Sequence, residues 1–249
     1  MRFVTAAVVA GVLAMAGRAE AQSSDSMFFI SVNGGYQAGS QSYTDAGTFR
    51  LYDETGHLNV SSETSPGPLL DVSAGVKVAG HLTVGAGFHR TSSTDPATIT
   101  GDAPHPIFFD RPRSFNLTVD GLKRTEQALH LSLGYMVDLT DKVTLHVYAG
   151  PSQFRYSQHV PGSVAITETS GTFASVTATP TNEARKANTW GGHAAADLSY
   201  AIFQSGSSTI AIGGFVRYAQ ASSEFQVVSN TVSTKVGNIQ MGGGLRIRF

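Results

Sequence analysis

Residues 129–150 read LHLSLGYMVDLTDKVTLHVYAG. Leu129, Leu131, Leu133, Tyr135 and Val137 stand at every second place, with His130 and Ser132 between them. After Asp138-Leu139-Thr140-Asp141 the pattern restarts: Val143, Leu145, Val147 and Ala149 alternate with Thr144, His146 and Tyr148. A period of two sends one set to each face of a strand. The Asp- and Thr-rich gap supplies the side chains that fold a chain back on itself. The stretch therefore predicts an antiparallel hairpin with one fully apolar face.

Outward from it the same pattern recurs. Alternating segments occupy 28–37, 69–78, 81–90, 125–137, 142–154, 189–203, 208–220 and 236–249. Each is close to the ~9–11 residues with which a tilted strand crosses a bilayer. The connections alternate in length. Ala79-Gly80, 138–141 and 204–206 are tight turns, whereas 38–68, 91–124, 155–188 and 221–235 are long links. Aromatics on the apolar faces sort to the two ends: Phe28, Tyr135, Tyr200 and Phe249 near the turns, Tyr36, Phe88, Trp190 and Tyr218 near the links. Two such belts, one hydrocarbon thickness apart, suit the two membrane interfaces.

The expected architecture is an all-β, eight-stranded antiparallel up-and-down transmembrane barrel, with long loops on one side and short turns on the other. A soluble barrel with an apolar interior is the competing arrangement. Its water-facing set would carry more charge than the Ser, Thr, Gly and His found here. No apolar run of ~20 residues marks a helical span in the mature region. Only 14% of the 249 residues are charged and the net charge is −1, which offers nucleic acid no cationic surface. Without cysteine, disulfides, thiol catalysis and a lipid-modified cysteine anchor are excluded.

The N-terminus reads as a secretory leader. Arg2 precedes the apolar stretch 3–17, and Ala19-Glu20-Ala21 forms an A-x-A cleavage site, so residues 1–21 are expected to be removed and 22–249 to form the barrel domain. The chain ends on Phe249, with Ile247, Leu245 and Met241 at alternate apolar places and Gly243 interrupting them. This ending resembles the C-terminal assembly signal of outer-membrane barrels. The whole mature chain resembles the eight-stranded bacterial outer-membrane family that includes the OmpA transmembrane domain and OmpX-like barrels. That resemblance implies the outer membrane as location, lipid and lipopolysaccharide as surroundings, and recognition by the barrel-assembly machinery.

Eight strands enclose an interior about filled by side chains. Charges on the inward parity must then pair. They are Asp71, Lys77, Asp197, Arg217, Arg246 and Arg248, with Asp197 and Arg217 expected as a diagonal couple on neighbouring strands. His89, His130, His146 and His193 share the inward parity without the tight spacing of a metal site. His130-x-Ser132 resembles the His–Ser pair of outer-membrane lipid A deacylases, but no carboxylate orienter accompanies it. The reading assigns no catalytic residue, cofactor or metal. It expects a non-enzymatic barrel, structural or adhesive, meeting an extracellular ligand or host surface through its loops. A narrow pore for ions or small solutes is the alternative. The link 91–124, with Pro96, Pro104, Pro106 and Pro112, carries the exposed-looking apolar run Ile107-Phe108-Phe109, expected to fold over the barrel mouth, with a contact surface as the alternative. Arg90, Arg111 and Arg113 are expected near the outer interface, within reach of lipopolysaccharide phosphates.

Overall fold

The computed structural model describes residues 27–39, 41–168, 173–226 and 231–249. The expected leader, with Ala19 and Ala21, lies outside them. Ten strands are found: β1 Phe28–Gln37, β2 Gln41–Leu51, β3 Glu54–Thr64, β4 Gly67–Ala79, β5 Leu82–Ala103, β6 Arg113–Asp138, β7 Val143–Glu168, β8 Val176–Ser205, β9 Ser208–Gln226 and β10 Thr231–Arg248. Eight of them close a ring in the order β1-β4-β5-β6-β7-β8-β9-β10, every neighbour antiparallel. The seam is Phe29↔Arg248 to Gln37↔Gln240, finished by Phe28 and Phe249 exchanging backbone bonds of 2.8 and 3.0 Å. Closure leaves no unpaired edge in the ring, the condition for putting strands into lipid.

The outer wall is apolar where a membrane would lie. Val32, Leu70, Val84, Leu131, Leu133, Leu198, Ile212, Val216 and Leu245 are all exposed on it. Tyr36, Phe88, Trp190 and Tyr218 ring its upper rim, and Tyr135, Tyr200 and Phe249 its lower rim, where Phe28 stacks on Phe249 at 5.8 Å. Tight turns close the lower end. Gly80 and Gly206 sit there at φ 52° and 58°, a left-handed backbone that a side chain would strain.

Alternation and Thr/Val enrichment persist at 48–60, 163–179 and 224–236, which points to hairpins extended above the membrane, and the described parts of the upper end are laddered. The link 38–68 forms a hairpin of its own, β2–β3, which docks on β5 from His57↔Asp102 to Ser62↔Ala97. The proline-rich link 91–124 is mostly ladder, since β5 and β6 stay paired from Leu82↔Tyr135 to Ala103↔Arg113. Pro96 is absorbed where the register shifts between Asp95 and Ala97, a bulge that needs no proline N–H. β7 and β8 likewise stay paired up to Glu168↔Val176.

Above the membrane the two faces change character. Inside the spanning wall lie Thr83, His89, His130, Ser152 and Arg217, whereas higher in the same barrel the interior holds Val60, Ile99, Phe115, Leu122, Phe154 and Val160. Water replaces lipid as the outer medium there. The apolar set turns inward to escape it, so among the described residues the hydrophobic core lies above the spanning wall.

Candidate functional site

Among the described residues two regions carry chemistry: the filled lumen and the tip between β5 and β6. In the lumen, Asp71 on β4 and Arg217 on β9 meet with Oδ2 and Nη2 2.8 Å apart, their side chains only 3% and 2% exposed. Asn33 donates to Asp71 Oδ1 at 3.0 Å, and Arg217 Nε donates to Gln240 Oε1 at 2.7 Å. Gln240 donates in turn to Gln37 Oε1 at 2.8 Å. The Arg217 guanidinium also lies over the Phe215 ring, 5.3 Å from its centroid. Each end of the buried pair is thus held by further polar groups, which such a pair requires.

Beside this knot, joined to it by the 3.2 Å contact of Gln240 Nε2 with His89 Nε2, a chain of contacts crosses the lumen. His89 Nδ1 lies 2.7 Å from His130 Nε2, and His130 Nδ1 lies 2.7 Å from Ser152 Oγ. Ser152 Oγ is 2.9 Å from His193 Nδ1, and His193 Nε2 is 3.1 Å from Ser132 Oγ. At its upper end His89 stands 3.6 Å from Glu126, which takes the backbone N–H of Gly237 at 3.0 Å and pairs with Arg124 at 3.1 Å. Toward the lower end Arg246 forks onto both carboxylate oxygens of Asp197, and Arg248 reaches Asp138 at 3.0 Å. A cavity of about 50 Å³, room for a few waters, remains beside Tyr148, His146 and Asp197.

At the tip, Ile107, Phe108 and Phe109 are 63%, 53% and 74% exposed. They stand on a braced platform. Arg113 donates to Glu168 Oε1 at 2.8 Å and Oε2 at 2.5 Å, and to the Phe173 and Pro104 carbonyls at 2.9 and 2.6 Å. Tyr52 donates to Glu168 Oε1 at 2.9 Å, and Glu54 accepts the Asp110 N–H at 2.8 Å. One arginine and two glutamates therefore tie together the ends of the β2–β3, β5–β6 and β7–β8 hairpins. The Arg113 hydrogen bonds hold the Glu168 carboxyl below the usual carboxylate range, and the same contact raises Arg113. His105 packs on Phe108 at 4.9 Å, and Arg111 lies 5.7 Å over the same ring.

Several solved structures align with this chain over most of its length. OprG, an outer membrane protein of Pseudomonas aeruginosa, aligns over 90% of this chain and 97% of its own, at 10% identity and a TM-score of 0.50. The fold is that of the small outer-membrane β-barrels. Ail, the attachment invasion locus protein of Yersinia pestis, solved with the heparin analogue sucrose octasulfate, aligns over 88% of this chain and 99% of its own, at 13% identity and a TM-score of 0.36. OmpT, an outer membrane protease of Escherichia coli, aligns over 92% and 99%, at 10% identity and a TM-score of 0.46. No protein-family model matches the chain, and no curated protein matches it by sequence. A shared barrel is an architecture and not an activity.

Several expectations about this outer-membrane barrel need correcting. Asp197 and Arg217 are not a couple; Asp197 pairs with Arg246 and Arg217 with Asp71. Inward parity put all four in the lumen but said nothing of which heads meet across it. His130 and Ser132 do not bond each other. His130 holds Ser152 and Ser132 holds His193. Lys77 lies half-buried beside the lower turns. Ile107-Phe108-Phe109 stands clear of the mouth instead of covering it. Arg111 and Arg113 sit at the hairpin tip, because β5 and β6 continue past the rim, and only Arg90 remains by the belt. Among the described residues no group of three or more His, Asp or Glu could hold a metal. Sequence reasoning missed Ser152, Gln240 and Glu126, all on the inward parity of strands it had found.

Proposed function

We propose that the protein is a non-enzymatic outer-membrane barrel that displays an apolar tip, Ile107-Phe108-Phe109, to an extracellular ligand or host surface. The observation that carries this reading is the exposure of all three side chains on a platform cross-braced by Arg113 and Glu168. Three adjacent exposed apolar residues on an ordered support cost solubility unless something uses them. The imidazole–hydroxyl pair of the lumen, His130 and Ser152, is 1% and 0% exposed, out of reach of a lipid or peptide. The ending Met241, Leu245, Ile247, Phe249 is proposed to engage the assembly machinery, and Ala19 and Ala21 to mark leader cleavage.

The test compares cells displaying the native barrel with cells displaying Phe108→Ser/Phe109→Ser. Adhesion to host-cell or matrix surfaces should fall severalfold while the barrel keeps its heat-dependent gel mobility. Equal adhesion by both would reject the tip. A narrow pore is the second reading, favoured by the 50 Å³ cavity that opens the lower lumen. The Asp71–Arg217 knot and the histidine chain stand above that cavity.

A further inference from the structure

We propose that the filled lumen relays protons between its two ends, along the hydrogen-bonding groups from Glu126 to Ser132, while stopping hydrated ions. The inference goes beyond the tip reading and rests on the packing of the lumen alone.

The ladders order these groups by height. Glu126 stands opposite Thr91, and His89 two residues lower, opposite Ala128. His130 is in register with Ser152 at the next step down, and Ser132 lies one step lower again on β6. His193 on β8 stands opposite Gly150, below Ser152 on β7. From Glu126 to Ser132 the path covers six residues of β6, roughly 20 Å of strand at ~3.4 Å per residue.

Each of the three rings is engaged at both nitrogens. His89 Nε2 faces the Gln240 amide at 3.2 Å and Glu126 at 3.6 Å, while its Nδ1 meets His130. His130 continues through Nδ1 to Ser152, and His193 continues from Ser152 through Nε2 to Ser132. An imidazole so placed accepts a proton on one nitrogen as it gives one up from the other, and a hydroxyl does the same. In the downward sense Gln240 donates to His89, His89 to His130, His130 to Ser152, Ser152 to His193 and His193 to Ser132. A proton passed from Glu126 to His89 Nε2 sends the Nδ1 proton to His130. The shift repeats until the Ser132 hydroxyl releases a proton to water. One proton enters, one leaves, and no bond between heavy atoms changes. Every donor then points upward, and rotation of the side chains restores the first sense.

Both ends of the path meet room for water. Ser132 lines the 50 Å³ cavity of the lower lumen. At the top a cavity of about 10 Å³, enough for one water, is lined by Gln37, Thr91, Ser92 and Arg124. Gln37 and Arg124 donate to Glu126 Oε2 at 3.5 and 3.1 Å. Between the cavities the path is dry. His89, His130 and Ser152 are buried, and Phe154 packs edge-on against both rings at 6.2 Å. The charges facing it are paired: Asp71 with Arg217, Glu126 with Arg124 and Asp197 with Arg246. Tyr148 lies 6.1 Å from the His193 ring, and His146 turns aside to Thr83 at 2.9 Å. A hydrated ion needs an opening, which the Asp71–Arg217 knot fills. A proton handed along hydrogen bonds needs none.

The test uses the mature barrel refolded into phosphatidylcholine vesicles that hold a trapped pH dye, with valinomycin and potassium to clamp the potential. After an external pH step the native barrel should equilibrate the interior severalfold faster than protein-free vesicles. A trapped sodium reporter should stay silent. Position 152 decides the path, because valine and threonine share a shape and differ by the hydroxyl. Ser152→Thr should keep most of the native rate, and Ser152→Val should fall to the protein-free rate. If neither larger side chain refolds, His193→Gln exchanges a relaying ring for an amide that passes no proton, and its rate should fall likewise. Heat-dependent gel mobility confirms that each variant is folded. A native rate no faster than that of protein-free vesicles would overturn the proposal. So would equal rates for Ser152→Val and Ser152→Thr, an undiminished rate for His193→Gln, or sodium entry alongside the protons.

Discussion

Arg217 and Asp71 meet inside the barrel from strands that are not neighbours: β1 and β10 stand between β9 and β4 in the ring, yet the two heads are 2.8 Å apart. The pair ties the wall together across the lumen and occupies the space through which anything would pass.

Removing one partner should be costly. Asp71→Ala strands the Arg217 charge in a dry interior, a loss of about 3–5 kcal/mol. Asp71→Leu/Arg217→Met should recover much of it, because no unpaired charge remains. Urea unfolding in lipid vesicles measures both. Equal destabilisation by the single and double variants would show that the pair matters only for packing.

The platform under the tip should respond to acid. Glu168 is held below the ordinary carboxylate range by the hydrogen bonds from Arg113, helped by Tyr52. A depressed folded-state pKa contributes stability that is present above the unfolded carboxylate value and lost as pH falls through the folded one. Protection against hydrogen exchange around Arg113 and Phe173, taken relative to the intrinsic rate at each pH, should therefore be high near neutrality and fall in strong acid. Glu168→Gln should exchange fast at both, and a native platform insensitive to acid would count against the clamp.

Protease added to whole cells should nick the segment between Ala103 and Arg113 and spare Ala79-Gly80. The paired stretches of β5 and β6 should resist, since ladder bonds hold them. Cleavage at Gly80 from outside would invert the topology, and easy cutting near Thr98 would deny the extended hairpin.

Phe249 closes the seam by exchanging backbone bonds with Phe28 and stacking on it. Phe249→Ser should lower outer-membrane levels severalfold while export continues. Fractionation checks this, and undiminished outer-membrane levels would leave the terminal aromatic without a role.

Inside the membrane the fold was legible. Lipid forces Leu129, Leu131, Leu133 and Tyr135 outward, and a period of two survives in the sequence. Above the rim the signal changes phase. On β7 the inward series runs Thr144, His146, Ser152 and then Phe154, Tyr156, Val160, so the apolar set passes from the outer face to the inner. A reader tracking one apolar face ends the strand there, although the ladder goes on to Glu168. Pro96 and Pro161 both lie where the register shifts. Candidate lumen charges were legible as a set, because parity fixes a face. Their partners were not, because side-chain reach across a closed ring is a property of the ring.

Single-protein conductance in planar bilayers tests the central claim of a filled lumen most directly. The native barrel should give no steady channel, because the Asp71–Arg217 pair and the chain from His89 to Ser132 occupy the interior. Asp71→Ala should add brief, irregular openings. Large, steady openings from the native protein would contradict the account and make the pore its function.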